Sequence, residues 1–376
     1  MAPRHPRFLL VPSTLALALA VALPTSALAW GSATHHYIAQ NYSKHLPPTM
    51  SGLAAYDATV DAHVTDPDTR KSYTPGESER HFIDIDTYSE FLAGAMPHDR
   101  AVLDAKYGVT TVENIGIVPW AIGEVVGTLT GQFAAQDWSS AALTIADLCH
   151  YVGDATQPLH CAKNYDGQLT GNNGIHSRYE TTMMGYHIAD LHTSPMTVAY
   201  YASPVDAAFG IVSGSWSRVS DLLAADNTAK AAAGGSTSST TYYNSLWSST
   251  QAFTRVRVDS ATVVTASMVY TAWMNAGQPY IPGSSASVDP AASAAVALSA
   301  GPSPFREALS IGYAGAGPLT VDVFDVRGRL LQRVVSGAIG AGRAEWRPGA
   351  NDGPGLYFVR LTAPGVDVTR RVTRLR

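Results

Sequence analysis

Histidines and carboxylates are concentrated between residues 150 and 180. His150 and Asp154 are four residues apart in a segment predicted to be helical, so their side chains share one face of the helix. His176 and Glu180 repeat this spacing, and His160 lies between the two pairs. Imidazole nitrogens and carboxylate oxygens are together typical ligands of zinc. The spacing therefore predicts a metal site.

The alternative is a set of unrelated ion pairs, because a single histidine four residues before a carboxylate more often forms a surface pair than a metal site. Three histidines and two carboxylates within 31 residues favour the metal interpretation. Two or three metal ions that share a bridging carboxylate would need about this many ligands. All twelve histidines lie at or before His192, so any histidine chemistry belongs to the N-terminal part of the chain.

Three more candidate ligands lie upstream, and each has a competing interpretation. Asp66, in the sequence Thr-Asp-Pro-Asp, is of a type that also caps helices or closes turns. His35 has a direct neighbour of the same chemistry, His36. His81 lies in a segment predicted to be extended or to begin a helix. The residue types alone leave all three open.

Four separated motifs resemble the zinc-dependent phospholipase C family of bacteria, whose metal site is shared with the fungal zinc-dependent single-strand nucleases. In chain order the motifs are Trp30 followed by His35, Ile117-Val-Pro-Trp120, Leu148-Cys-His-Tyr-Val-Gly-Asp-Ala-Thr-Gln-Pro-Leu-His160 and Ile175-His-Ser-Arg-Tyr-Glu180. The resemblance covers residues 30–195 and extends to about residue 280.

The resemblance implies up to three zinc ions. Trp30 would bind the first through its free α-amino group and backbone carbonyl, with His35 beside it, and Asp154 would bridge this ion to the second. The remaining ligands would be Asp66, His81 and His150 for the second ion, and His160, His176 and Glu180 for the third. Asp66 would also act as a general base toward the attacking water.

The reaction that the resemblance implies is hydrolysis of a phosphodiester. Zinc ions neutralise phosphate oxygens and lower the pKa of a bound water from 15.7 to about 7, which supplies hydroxide at neutral pH. Glu180 favours a phospholipase C acting on phospholipid head groups at a membrane surface, because the nucleases usually have aspartate there. The spacing from Trp30 to His35 is closer to that of the nucleases, so a single-strand nuclease or 3′-nucleotidase is the alternative. A third hypothesis is a non-catalytic surface protein that keeps a structural zinc site.

These ligands require a scaffold, and residues 30–282 are predicted to form a mainly α-helical catalytic domain of the phospholipase C and nuclease type. Buried helices are expected over residues 117–129 and 261–275. An apolar stripe at helical spacing surrounds His150 and consists of Ala141, Ile145, Leu148 and Val152.

The first 29 residues have the features of a secretory signal peptide. Arg4 and Arg7 precede an apolar stretch over residues 8–23, and Ala27-Leu28-Ala29 is a typical cleavage site. An uncleaved membrane anchor is the alternative, but the stretch is short for a membrane span. Cleavage after Ala29 would make Trp30 the N-terminus, as a free-amine ligand requires. The mature chain is predicted to be secreted and to lack a transmembrane segment.

The C-terminal part of the chain has a different composition. Residues 283–302 are rich in Gly, Ser, Ala and Pro, which is typical of a linker. Residues 303–376 contain short strand-like runs separated by turn signals, and this pattern predicts a small β-sandwich.

Several motifs of this segment resemble the immunoglobulin-like sorting domains of secreted bacterial proteins. They are Pro302-Ser-Pro-Phe305, Val323-Phe-Asp-Val-Arg-Gly328, Pro354-Gly-Leu-Tyr-Phe-Val-Arg360 and a basic end with Arg370, Arg371, Arg374 and Arg376. The resemblance implies a contact with the export machinery, or attachment to the cell surface. An inert immunoglobulin-like module is the alternative.

The overall composition is that of an ordinary globular protein and rules out few classes of function. Hydrophobic residues make up 46% and charged residues 15%, as in globular proteins. The net charge of −5 gives no reason to expect binding to nucleic acid or membranes through bulk charge. The two cysteines, Cys149 and Cys161, would either form a disulfide in an exported chain or be small buried hydrophobic residues.

Overall fold

The computed structural model describes residues 30–284, 297–315, 317–340, 342–349, 352–363 and 366–375. A helical region is followed by two small antiparallel sheets, so the predicted fold class, a mainly helical domain with a small C-terminal β-sandwich, is confirmed. The predicted signal peptide, residues 1–29, lies outside the described residues.

The α-helices of the described region are α1 (Ser32–Asn41), α2 (Asp57–His63), α3 (Asp66–Arg70), α4 (Ser89–Leu92), α5 (Arg100–Tyr107), α6 (Val109–Ile115), α7 (Val118–Ala134), α8 (Trp138–Thr156), α9 (Ile175–Ser177), α10 (Met184–His187), α11 (Pro204–Trp216), α12 (Val219–Ala232) and α13 (Thr240–Asn275). Short 3₁₀ turns cover Tyr42–His45, Pro48–Tyr56, Ser78–His81, Ile85–Thr87, Pro158–Cys161 and Ile188–Asp190. One π-helical turn, Arg178–Met183, joins α9 to α10.

Helix α8 is the centre of the helical region. It contacts α2, α7, α11 and α13, and the predicted stripe of Ala141, Ile145, Leu148 and Val152 is fully buried. The Asp137 side chain caps its N-terminus by accepting a hydrogen bond from the Ser140 amide at 3.1 Å. Its last residue, Thr156, is separated from Pro158 by an extended residue, because the residue before proline avoids helical geometry.

Other helices agree with the sequence analysis in position but not always in length. Residues 117–129 correspond to α7, and residues 261–275 form the C-terminal part of the much longer α13. No described helix has the combination of length and hydropathy that a membrane crossing requires. Cys149 and Cys161 are buried free thiols, so they are not joined by a disulfide.

The C-terminal region contains β1 (Ala297–Gly301), β2 (Leu309–Ala314), β3 (Leu319–Asp325), β4 (Leu330–Ala338), β5 (Gly342–Trp346), β6 (Gly355–Ala363) and β7 (Val366–Arg374). The sheet orders are β1-β2-β5 and β4-β3-β6-β7, with every pairing antiparallel. Both sheets contribute to one apolar core, which includes Ile311, Val321, Val323, Trp346, Val359 and Leu361.

Strand β1 corrects one predicted boundary, because it lies inside the segment predicted as a linker, residues 283–302. It pairs with β2, and its Leu298 is buried in the core of the two sheets. The small residues around Leu298 give this strand the composition of a linker. A single apolar side chain in a backbone ladder was too weak a signal to recognise from the sequence.

Candidate metal centre

The candidate site is built on α8. His150 and Asp154 are both fully buried, and helical spacing brings His150 Nε2 to 3.4 Å from Asp154 Oδ2. His81, from the 3₁₀ turn Ser78–His81, approaches both ligands from another segment. Its Nδ1 lies 2.9 Å from Asp154 Oδ2 and 3.0 Å from His150 Nε2.

His35 reaches the same place from α1. Its Nε2 lies 3.5 Å from Asp154 Oδ1, and its ring stacks on that of His150 with centroids 3.9 Å apart. Gly153 makes this approach possible, because a Cβ there would lie 3.0 Å from His35 Nδ1. The neighbouring His36 points elsewhere and contacts Asp61 at 2.7 Å.

Asp66 is not at the site, and this corrects the sequence analysis. Its carboxylate is about half exposed and contacts His63 Nδ1 at 2.7 Å. Asp68 instead turns its side chain inward, with 6% of the side chain exposed and Oδ1 3.6 Å from His150 Nε2 and 3.8 Å from His81 Nδ1. Both aspartates belong to α3, and residues two apart on a helix face different directions. The predicted general-base role of Asp66 is therefore not compatible with its position.

We call the five side chains around α8 the Asp154 cluster: His35, Asp68, His81, His150 and Asp154. A second group, the Glu180 cluster, consists of His160, His176 and Glu180. Glu180 Oε2 lies 3.0 Å from His176 Nε2 and 3.4 Å from His160 Nε2. The two clusters adjoin, because His160 Nδ1 lies 3.7 Å from Asp154 Oδ1.

The Glu180 cluster depends on two breaks in regular helix. Pro158 ends α8 and begins the 3₁₀ turn that carries His160. The π-helical turn Arg178–Met183 contains Glu180, and π turns are common at functional sites. The Gln157 side chain links the two segments by donating a hydrogen bond to Glu180 Oε2 at 2.8 Å.

Trp30 is fully buried beside the Glu180 cluster. Its ring packs against Tyr179 with centroids 5.5 Å apart, and the next amide, Gly31 N, donates to the Glu180 carbonyl at 3.2 Å. A Cβ at Gly31 would lie 2.8 Å from Thr181 Cα, so only glycine allows this close approach. These contacts fix the backbone at Trp30 next to the predicted ligands.

Three histidines are held in one tautomer by main-chain carbonyls. The Nδ1 atoms of His150, His160 and His176 donate to the carbonyls of Val64, His81 and Tyr165 at 2.8, 2.8 and 3.0 Å. Because a carbonyl only accepts, each Nδ1 carries the proton, and Nε2 is left to face the clusters. His160 Nε2 and His176 Nε2 are 3.1 Å apart, so a proton or a metal ion must lie between them.

The carboxylates also fit a metal. Among the residues that the structure describes, both oxygens of Asp154 and Oε1 of Glu180 are buried without a hydrogen-bond partner. A buried carboxylate oxygen of this kind is costly unless a cation neutralises it. In three groups the potential ligand atoms lie within 4.8 Å of one another: His35, His150 and Asp154; Asp68, His81 and His150; His160, His176 and Glu180. Nitrogen and carboxylate donors in this mixture suit zinc.

For Asp154, Glu180 and His150 the electrostatics favour the protonation states that metal binding needs. His160 is the exception: burial opposes its protonation, but Asp154 and Glu180 raise its pKa to about 9, so a metal ion has to displace its proton. Burial alone would raise the pKa of Asp154, but the surrounding histidines, above all His150, hold it well below its ordinary value. Burial likewise opposes ionisation of Glu180, whose pKa His176 and His160 lower to about 2. Burial lowers the pKa of His150 well below 6.5. Both carboxylates are therefore ionised near neutral pH.

A cleft of about 750 Å³ opens onto His81, His160 and His176. Its walls include Lys71, whose Nζ lies 2.7 Å from Asp68 Oδ1, together with Phe82. Asp84 also lines the cleft, and burial raises its pKa to about 6, with a further contribution from the charge of Asp86. Lys71 and Asp84 were not predicted from the sequence as residues of this cleft.

Comparison with known proteins adds a likeness of structure. The chain is similar to the alpha toxin of Clostridium absonum, with a TM-score of 0.43, 11% identity and coverage of 93% of this chain and 97% of the toxin. It is also similar to the alpha-toxin of Clostridium perfringens from an avian strain, with a TM-score of 0.45, 12% identity and coverage of 92% and 98%. No protein-family model and no curated protein matches the sequence. At such identities the likeness transfers no residue role and no activity to this chain.

Proposed function

We propose that this chain is a zinc-dependent phosphodiester hydrolase. The observation that carries the proposal is the convergence of imidazole nitrogens and unpartnered carboxylate oxygens in two adjoining buried clusters. Carbonyls orient three of the imidazoles from behind, which is the usual outer support of a metal ligand. A structural zinc site would need no cleft, whereas His81, His160 and His176 line a cleft that is open to solvent.

Each cluster has a separate task in this proposal. The Asp154 cluster would hold two zinc ions, with Asp154 shared between them, and the Glu180 cluster would hold a third. Bound zinc would supply Lewis acidity and activate a water molecule at neutral pH. Lys71 lines the cleft wall and pairs with Asp68 at 2.7 Å; once Asp68 binds zinc, the ammonium group would be able to hold an anionic phosphate oxygen.

Trp30 would complete the first zinc through its free α-amino group after removal of residues 1–29. The close contact of Gly31 with the Glu180 backbone supports this role, because it fixes residue 30 beside the clusters. The test compares protein that begins at Trp30 with protein that keeps one extra residue. An amide nitrogen cannot replace an amine as ligand, so the extended form should bind less zinc. Equal zinc content and equal activity would remove Trp30 from the site.

The favoured substrate is a phospholipid head group. The resemblance of the segment around Glu180 to the phospholipases supports this choice, and apolar walls at Phe82 and Leu159 suit the glyceride side of a lipid. The second candidate, a single-strand nuclease, is favoured by the presence of Phe82 and Asp84 in the wall of the same cleft. An aromatic ring can stack on a base, and a carboxyl group with a pKa of about 6 can accept or donate a hydrogen bond to its edge.

The deciding experiment incubates zinc-loaded protein, beginning at Trp30, with phosphatidylcholine vesicles and separately with single-stranded DNA. Asp154→Asn protein is the matched control for contaminating activity. Release of phosphocholine without DNA cleavage supports the phospholipase, and the reverse supports the nuclease. A protein with full zinc content that cleaves neither substrate, nor a small aryl phosphodiester, would overturn the hydrolase proposal in favour of a non-catalytic zinc protein.

Secretion is also a proposal, with residues 1–29 as the cleaved signal and the β-sandwich as the contact for the export machinery. In the native host, a chain that ends at residue 296, before β1, should be retained inside the cell while the full chain is exported. Normal export of the shortened chain would leave the β-sandwich as an inert module.

A further inference from the structure

His81 is oriented differently from three other histidines of the two clusters, His150, His160 and His176. His150, His160 and His176 face the clusters with Nε2, and their Nδ1 atoms bind carbonyls. His81 instead faces the Asp154 cluster with Nδ1, which lies 2.9 Å from Asp154 Oδ2. Its Nε2 is buried on the opposite side of the ring and makes no well-formed hydrogen bond among the described residues.

The group next to this outer nitrogen is a carboxylate, not a carbonyl. Glu77 Oε1 lies 3.6 Å from His81 Nε2, one helical turn earlier in the chain. Glu77 is itself buried, with 5% of its surface exposed, so its position is determined by neighbouring groups. The Tyr151 hydroxyl donates to Glu77 Oε1, and Arg70 Nη2 lies 3.5 Å from the same oxygen. Arg70 is in turn held by Asp147 at 2.9 Å.

We infer that Glu77 is a positioning residue for the metal centre: it retains the proton of His81 on Nε2 and directs the unprotonated Nδ1 toward the ion held with Asp68 and His150. A small closure of the 3.6 Å separation would form the hydrogen bond. A carboxylate behind a ligand histidine fixes its tautomer and ring orientation and raises its basicity. The inference rests on the metal site of the proposed function but not on the reaction.

A purely structural role for Glu77 is the competing explanation, because its contacts with Tyr151 and Arg70 also connect the loop before His81 to α8. Glu77→Gln separates the two roles. The amide keeps the size of the side chain and an acceptor for Tyr151, but it loses the negative charge that holds the His81 proton. Glu124→Gln is the matched control, because Glu124 pairs with the adjacent Arg80 at 2.7 Å and does not touch His81.

The experiment measures zinc stoichiometry and affinity by competition with a chromogenic chelator, on full-length mature protein. The melting temperatures of the metal-free and zinc-loaded forms are measured in parallel. We expect Glu77→Gln to weaken one zinc site by about 10–100-fold, with Glu77→Asp recovering part of the affinity. The melting temperature should fall clearly less in the metal-free form than in the zinc-loaded form, and Glu124→Gln should behave as wild type in both measurements.

Two results would overturn the inference. One is unchanged affinity and stoichiometry in Glu77→Gln. The other is a metal-free melting temperature that falls by as much as that of the zinc-loaded form, which would assign Glu77 to the loop rather than to the metal. Failure of the proposed function can be distinguished from failure of this inference. If wild-type protein binds zinc but cleaves no phosphodiester, the hydrolase proposal fails, and the zinc affinities of wild type and Glu77→Gln can still be compared.

Discussion

The two clusters are assembled from the chain in opposite ways. The Glu180 cluster takes its ligands from a single stretch, residues 160–180, in which His176 and Glu180 are one helical turn apart. The Asp154 cluster gathers α1, α3, the 3₁₀ turn Ser78–His81 and α8 around one buried carboxylate. Local spacing alone is enough to recognise the first, whereas the second depends on how distant segments pack.

This difference explains which residues could be predicted from the sequence. His176 and Glu180 are related by helical periodicity, and so are His150 and Asp154, so their shared faces follow from spacing. Asp66 was the wrong choice because the sequence cannot tell which side of the short helix α3 faces α8. The inward direction of the Asp68 side chain depends on the contact between α3 and α8, which brings together segments far apart in the sequence.

The fold shows the same division. Helices α7 and α8 were predictable because an apolar stripe has to be buried, and the strands of the β-sandwich because their apolar residues alternate. Strand β1 could not be predicted, because backbone pairing with β2 holds it in place and its small side chains show no alternating apolar pattern.

The largest effect is expected at the residue that connects the clusters. Asp154→Asn removes the charge of a buried carboxylate whose two oxygens face His81 on one side and His160 on the other. Activity should fall by about 10³-fold or more, which corresponds to roughly 4 kcal/mol of transition-state stabilisation. Zinc analysis should show the loss of more than one ion. Retention of full zinc content would contradict the bridging position of Asp154.

A comparison within α3 tests the corrected ligand. Asp68→Asn should reduce activity and zinc affinity by on the order of 100-fold, because a direct ligand matters at least as much as an outer support. Asp66→Asn changes an aspartate that is about half exposed, and it should alter both quantities less than about 2-fold. Assays of the two proteins side by side check the assignment. A reversed order of effects would restore Asp66 to the site.

The independence of the Glu180 cluster can be tested by removing its carboxylate. Glu180→Gln should release one zinc ion and leave the Asp154 cluster loaded, because the five ligands around α8 do not include Glu180. Activity should fall by on the order of 10-fold, less than for Asp68→Asn, if the third ion assists rather than forms the reacting pair. Zinc titration with anomalous X-ray scattering distinguishes the positions. Simultaneous loss of all ions would mean that the two clusters behave as one site.

The smallest effect concerns the wall of the cleft, where Asp84 belongs to neither cluster. Burial raises its pKa from 3.8 to about 6 in the folded chain, so the folded state retains a proton that the unfolded chain has lost. The stability due to this proton is present below pH 4 and is lost as the pH rises through about 6. The Asp84→Asn protein lacks this pH dependence. The difference in free energy of unfolding, Asp84→Asn minus wild type, should therefore increase between pH 4 and pH 7.

The measurement is urea unfolding of metal-free protein at both pH values. After allowance for the partial solvent access of Asp84, the difference should increase by about 1 kcal/mol. A constant difference across this range would mean that Asp84 is solvated like a surface carboxylate, and the cleft wall would then be a poor place to bind the uncharged edge of a base.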